Sequence, residues 1–345
     1  MVNVGVVGCG YWGPNLIRNF SNLKSSRVVS CADVKEDRLS HMKQLYPTIR
    51  ATNDFREILK DPEIDAVIIA TPVAQHYPVA KEALEAGKHV FVEKPLAQSV
   101  EEGKALVELA ARLGRTLMVG HTFVFTAAVN KIKDLIWSGE LGEIHYVASS
   151  RVNLGIFQED INVVWDLAPH DISIMNYVLN SRPVSVSAVG QSYIRPGIED
   201  VAFLTLKYPQ AALANIHVSW LNPNKIRSTT VVGSKKMLVY DDISSLEKIR
   251  IYDKGVTMTP HYDTFGEFHL SYRYGDIMIP RLDDAEPLKT ECQHFVDVIE
   301  KGVLSRSDGD HGLDVLLALE TAGRSMRERG AEIAIEYPPR TESAK

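Results

Sequence analysis

The chain has 345 residues, more than one hydrophobic core ordinarily serves, so two domains are expected. A formal net charge of −6 supplies no general attraction to nucleic acid or to an anionic membrane, and any basic site must be local. Three cysteines, Cys9, Cys31 and Cys292, are too few and too scattered for a disulfide framework or a zinc cluster, and read as packing residues of a protein in a reducing compartment, with no metal.

Val4 to Val7 reads as a strand. It ends at Gly8, lacks a basic leader and is much shorter than a signal-peptide core or a membrane span, so a cytoplasmic location is expected. A helix over Trp12 to Phe20, a strand over Val28 to Ala32 and an amphipathic stretch around Leu39 to Leu45 follow. Ala66-Val67-Ile68-Ile69-Ala70 has the unbroken apolarity of a strand buried on both faces. Pro78 to Glu85 is a helix closed by Gly87, Val90 to Val92 a strand, Val100 to Leu113 a helix and Thr116 to Val119 a last short strand. This alternation predicts βαβ units and a parallel sheet over residues 1–120.

Beyond Gly120 the pattern changes. A helix over Ala127 to Trp137 precedes period-two stretches at Ile144 to Val152, Val184 to Gln191, Val201 to Lys207, Ala212 to Trp220, Ser228 to Val232, Met237 to Tyr240 and Lys248 to Tyr252. These predict a wide, mainly antiparallel sheet in a second α/β domain over residues 121–345. Leu288 to Lys301 and Leu313 to Arg329 carry helical spacing and are expected to pack across that sheet or back on the first domain.

Gly8-Cys9-Gly10-Tyr11-Trp12-Gly13 fits GxGxxG between a strand and a helix, the context that gives the motif its meaning. The first glycine permits the tight turn, the second lets backbone approach a pyrophosphate, and the third allows close helix packing, with the helix N-terminus facing the anion. Asp33, twenty residues past Gly13, is the acid expected on an adenosine ribose. It would repel a 2′-phosphate, so NAD is favoured over NADP, while Arg38 nearby pulls the other way. Thr71-Pro72, Gln75 and His76 follow the strand ending at Ala70 and lie on the same ligand-holding edge, as do Glu93 and Lys94 after the run His89-Val90-Phe91-Val92. Tyr11, Trp12, Thr71, Pro72, His76, Glu93 and Lys94 thus join the glycines, Asp33 and Arg38 as expected cofactor-lining residues. The bland alternative for Thr71-Pro72 is an ordinary turn and helix start.

Lys94, in Glu93-Lys94-Pro95, stands at the carboxyl end of a buried strand beside a proline-stiffened turn. In Trp165-Asp166-Leu167-Ala168-Pro169-His170-Asp171, Asp166 and His170 are four apart, on one face if both are helical. Imidazole can take a hydroxyl proton and a carboxylate can orient it or grip a neighbouring hydroxyl. Lys94 can stabilise alkoxide charge, or take the proton itself if burial disfavours its ammonium form. Taken separately, Asp166 reads better as a helix N-cap and His170 as a partly buried packing histidine. Together the three supply base, orienter and charge stabiliser.

With GCGYWG at Gly8 to Gly13, EKP at Glu93 to Pro95, GELGEI at Gly139 to Ile144 and DLAPH at Asp166 to His170, nearly the whole chain resembles the Gfo/Idh/MocA family. The family is named after glucose-fructose oxidoreductase, inositol dehydrogenase and a rhizopine-catabolism protein. The resemblance implies an N-terminal Rossmann domain, a C-terminal α/β domain with a large open sheet, and oxidation or reduction of sugars or cyclitols. It makes Lys94, Asp166 and His170 the counterparts of the catalytic lysine, aspartate and histidine, with His170 assigned first as base. One departure is Val124-Phe125, where many relatives carry arginine before the phenylalanine; His121 nearby could reach nicotinamide or substrate, or be a solvated loop residue.

Among its branches the chain looks most similar to those acting at C3 of nucleotide-linked sugars, UDP-N-acetylglucosamine or its uronate. Arg151 and Asn153 are expected on such a substrate, since cations could hold a diphosphate, while Asn224-Lys225-Ile226-Arg227 and Tyr272-Arg273-Tyr274 read equally as substrate contacts or as surface charge and an oligomer interface. Reduction of a keto sugar, or action on a free sugar or inositol, stays open. So does a noncatalytic dinucleotide-binding sensor. An open sheet face needs a cover, so a homodimer or homotetramer is expected.

Overall fold

The computed structural model describes residues 1–155, 157, 161–209, 212–258, 270–338 and 340. The described residues divide into two compact units, one drawn from Met1–Thr126, Ala285–Glu320 and Tyr337–Lys345, the other from Ala127–Asp284 and Thr321–Glu336.

In the first unit, β1 (Val2–Val7), β2 (Ser26–Ala32), β3 (Arg50–Thr52), β4 (Ala66–Ile69), β5 (His89–Glu93) and β6 (Leu117–Gly120) form a parallel sheet in the order β3-β2-β1-β4-β5-β6. Parallel neighbours require crossovers. These are α1 (Gly13–Ser21), α2 (Glu36–Leu45), α3 (Phe55–Lys60), α4 (His76–Glu85) and α5 (Val100–Leu113). Two of them carry local end signals: Asp54 accepts the Arg56 N–H to cap α3, Ser99 accepts the Glu102 N–H to cap α5, and Gly114 closes α5 in the left-handed region. β3 and α3 are too short to have stood out in the sequence. The strand order reverses between β1 and β4, and it is outside the carboxyl ends of such a pair that open α/β sheets bind ligands.

The second unit holds α6 (Ala127–Trp137), β7 (Ile144–Leu154), α7 (Val163–Leu179), β8 (Ser185–Gln191), β9 (Val201–Lys207), β10 (Leu213–Ser219), β11 (Leu221–Gly233), β12 (Met237–Asp241), β13 (Ile249–Met258), β14 (Leu270–Met278) and β15 (Ile333–Ala334). Its nine strands run β14-β13-β12-β11-β7-β10-β9-β8-β15, parallel between β7 and β10 and otherwise antiparallel. Helix α7 packs on β7, β9 and β10, and Leu204, Leu206, Ile216 and Val218 are buried there. Alternation sends Val189, Phe203, Leu213 and Tyr146 to the opposite face, where they are exposed.

Helix α8 (Pro287–Lys301) and the first part of α9 (Gly309–Arg327) belong to the first unit. Phe295 of α8 meets Phe20 and Phe91 edge-on, with ring centroids 5.6–6.4 Å apart and all three rings buried. The three cysteines are buried and free. Among the described residues no helix is long and apolar enough to cross a membrane, and no His/Cys/Asp/Glu group could hold a metal ion.

Candidate active site

The glycine turn lies at the β1–β4 crevice. Gly8 has φ +95°, and a Cβ there would sit 2.5 Å from the Ala70 carbonyl oxygen; one on Gly13 would strike the Gly8 carbonyl. The first and third glycines are therefore required by the turn itself. Trp12 stands at the N-cap of α1 with no side-chain cap bond, so the first N–H groups of the helix remain available to an anion. Tyr11 and Trp12 are exposed on this turn, edge to face at 5.5 Å.

Asp33 is buried and already engaged. Its carboxylate accepts the Cys9 N–H at 2.7 Å, the Lys35 N–H at 2.9 Å and the Arg38 guanidinium at 3.2 Å. A carboxylate offers about four acceptor positions, so one is left for a ribose hydroxyl. The Arg38 guanidinium also lies 3.4 Å from where a Cβ on Gly10 would stand. Adenosine ribose thus fits an acid whose charge is offset by a neighbouring cation. When bound, a nicotinamide dinucleotide would supply a hydride acceptor.

Two strands away, Thr71 is half-buried and Pro72 and Gln75 are exposed, whereas His76 is buried. Its Nδ1 lies 2.8 Å from the Pro95 carbonyl oxygen and its Nε2 2.9 Å from that of Thr71. Both ring nitrogens are thus turned to backbone carbonyls and the side chain is 1% exposed. Burial holds its pKa below the ordinary value, against the pull of the two carbonyls.

Lys94 is half-buried at the end of β5, and its peptide bond to Pro95 is cis. Glu93 before it is buried, and a Cβ on Gly120 would stand 3.1 Å from its Oε2. Burial raises the Glu93 pKa from 4.5 to about 7, despite the opposing Lys94 charge and a hydrogen bond from the Lys94 backbone. Glu291 of α8 is wholly buried and takes a 2.7 Å hydrogen bond from Thr122 Oγ1; burial and the Glu93 charge push it well above the carboxylate range. The Glu93 side chain is thus buried against the end of β6.

His121, at the end of β6, is buried and stacked edge-on with His311 at 5.4 Å, so the solvated-loop alternative does not hold. Neither of its ring nitrogens has a hydrogen-bond partner among the described residues, and burial holds its pKa well below the ordinary value.

In the second unit, Asn162 caps α7 by accepting the Trp165 N–H at 3.1 Å and is itself held by Glu199 at 2.7 Å. Asp166 is therefore not the cap. It lies within the first turn, half-buried, and accepts a 3.1 Å hydrogen bond from Nε1 of the buried Trp220. His170 follows one turn later, half-buried on the same face.

Arg151 is buried at 4% exposure. Asp171 takes its Nε at 2.8 Å and its Nη2 at 3.1 Å, and Ser149 Oγ donates to the same carboxylate at 2.7 Å. This ion pair within the unit occupies the fork expected on a diphosphate, so the arrangement supports a structural Arg151. Asn153, on the same face of β7, is half-buried. Lys225 is exposed, Arg227 lies 3.5 Å from Asp242, and the exposed Tyr272 and Tyr274 flank Arg273, which pairs with Asp253 at 2.8 Å.

Trp220, Asn162, Thr122 and Glu291 were not singled out from sequence. For Glu291 a signal existed: it shares the core stripe of α8 with Leu288, Cys292, Phe295 and Val296, an acid at an apolar position.

Residues 2–121 match the model described as oxidoreductase family, NAD-binding Rossmann fold, and residues 129–239 match the Gfo/Idh/MocA C-terminal domain. The chain is 30% identical to the uncharacterized oxidoreductase YrbE of Bacillus subtilis over 61% of its own length and 65% of that protein's. It is 27% identical to the scyllo-inositol 2-dehydrogenase (NAD(+)) of the same organism, covering 94% of each. The solved structure of UDP-N-acetylglucosamine 3-dehydrogenase GnnA from Acidithiobacillus ferrooxidans superposes with a TM-score of 0.78 at 23% identity, over 94% of this chain and 97% of that one, a likeness of fold. Two models of one family, matching in succession along a chain with a glycine turn at a β1–β4 switch point, establish that it belongs to the Gfo/Idh/MocA oxidoreductases, with an NAD-binding Rossmann domain.

Proposed function

We propose that the chain is an NAD-dependent dehydrogenase that oxidises a CH–OH group of a sugar-type substrate. The observation that carries this reading is the placement of Lys94 on the carboxyl edge of the same sheet that bears the glycine turn and Asp33. In the proposed chemistry the carbinol C–H leaves as hydride and the hydroxyl proton goes to His170, leaving a carbonyl. Asp166, oriented by Trp220, grips a hydroxyl or steers the imidazole. Lys94 stabilises the developing alkoxide. NAD is proposed over NADP because Asp33 keeps an acceptor position for a ribose hydroxyl.

The finer reading is oxidation at C3 of UDP-N-acetylglucosamine or its uronate. With Arg151 committed to Asp171 and Arg227 beside Asp242, the exposed Lys225 is a basic group that favours a diphosphate-linked sugar. The inositol activity named for a full-length relative supports the coarser reading. A second copy is proposed to cover the face bearing Val189, Phe203, Leu213 and Tyr146, giving a homodimer or homotetramer that light scattering would detect.

Purified protein, NAD and a panel of UDP-N-acetylglucosamine, its uronate, myo-inositol, scyllo-inositol and glucose decide between these readings by NADH formation. Turnover on free inositol or glucose alone overturns the nucleotide-linked reading. NAD binding with no turnover across the panel points to a sensor. Turnover unchanged in both His170→Ala and Lys94→Ala removes those residues from the mechanism.

A further inference from the structure

His76 opens α4 after the short turn Val73–Gln75 and is 1% exposed, among the most deeply buried polar side chains of the first unit. It faces two backbone carbonyls that belong to different strand ends. Thr71 follows β4, and its amide is 3.0 Å from the position a Cβ on Gly8 would take, so this turn abuts the glycine turn. Pro95 follows Lys94 at the end of β5. One imidazole therefore spans from the turn against the glycine motif to the turn that carries the lysine, at 2.9 and 2.8 Å.

Both partners are acceptors. A neutral imidazole has one N–H and one lone pair, so it can satisfy one carbonyl and must turn a lone pair toward the other; only the imidazolium donates to both. Burial disfavours the imidazolium, so the ring donates one hydrogen bond and is wedged by packing against the second carbonyl, and its width fixes the distance between the two turns.

We propose that His76 is a positioning residue: through Nε2 it sets the Thr71 turn against which the dinucleotide rests, and through Nδ1 it sets the Pro95 turn that aims Lys94. The inference rests on the dehydrogenase reading for its Lys94 half and on dinucleotide binding alone for its Thr71 half.

The two nitrogens can be tested separately, because an asparagine amide reaches about where Nδ1 stands and a glutamine amide about where Nε2 stands. His76→Ala, His76→Asn and His76→Gln are compared with wild type for far-UV circular dichroism, for NAD dissociation constant by tryptophan fluorescence without substrate, and for kcat and KM on whichever panel substrate turns over. His76→Ala is expected to bind NAD about tenfold more weakly and to lose about tenfold in kcat, as for loss of the contact that spaces each turn. His76→Gln should recover NAD affinity and not kcat, and His76→Asn should recover kcat and not NAD affinity. A merely structural histidine predicts no such crossing. Folded Asn and Gln variants with equal losses in both quantities, or an Ala variant within twofold of wild type in both, overturn the proposal. If wild type turns over nothing, the dehydrogenase reading fails, while NAD affinity in the Gln and Ala variants still decides the Thr71 half.

Discussion

Glu93→Gln should stabilise the protein in a way that depends on pH. The Glu93 carboxyl has its pKa raised from 4.5 to about 7, chiefly because burial penalises the anion. A carboxyl that ionises less readily folded than unfolded contributes stability fully present below pH 4.5, lost as pH rises through about 7, and absent above it. At about 1.4 kcal/mol per pH unit, the loss is about 3 kcal/mol. Glutamine resembles the neutral acid and carries no such dependence. Wild type and Glu93→Gln should therefore have similar stability near pH 4.5, and the variant should be more stable by about 3 kcal/mol near pH 8. Glu291 has the same sign of shift, and part of its shift comes from the Glu93 charge, so a Glu93→Gln/Glu291→Gln pair should be non-additive. Equilibrium urea denaturation at a series of pH values, with the slope checked for constancy, measures the difference. A Glu93→Gln advantage that is the same at pH 4.5 and pH 8 would refute the buried-anion argument.

Arg38→Ala should weaken NADP binding about tenfold or more while changing NAD little, since it removes the cation beside Asp33; fluorescence titration with each dinucleotide reads this directly. Equal effects on the two would remove Arg38 from cofactor choice. Trp220→Phe keeps an aromatic ring, smaller than the indole, and deletes the donor to Asp166, so kcat should fall about tenfold with the fold intact, and a normal kcat would show that this bond does not orient the acid. Phe295→Ala opens the cluster with Phe20 and Phe91 and should cost about 3–5 kcal/mol in urea denaturation; a loss below 1 kcal/mol would mean the cluster closes over the gap.

The doubly wound half was legible because its signals are local. Four consecutive apolar residues in β4 and the glycine turn after β1 depend on near neighbours, and both stand where the pattern put them. The mainly antiparallel second sheet was legible from alternation, although β14 and β15 were not read and β11 and β13 run longer than their apolar cores. A two-residue strand such as β15 leaves no period to detect.

Side-chain partnership was a different matter. Arg151 was expected on a diphosphate, and Asp171 occupies it from 20 residues away. Asp166 looked like a cap until Asn162 filled that place, and its partner Trp220 lies 54 residues on. His76 and Glu93 stood in the right stretches for a ligand and proved to be buried. The alternation of elements, the glycine turn with its acid and the strand end that bears Lys94 could be read along the chain, because periodicity and turn chemistry are properties of adjacent residues. Which polar groups face outward and which are consumed by one another emerged with the fold, because burial and hydrogen bonding depend on segments the chain brings together from far apart.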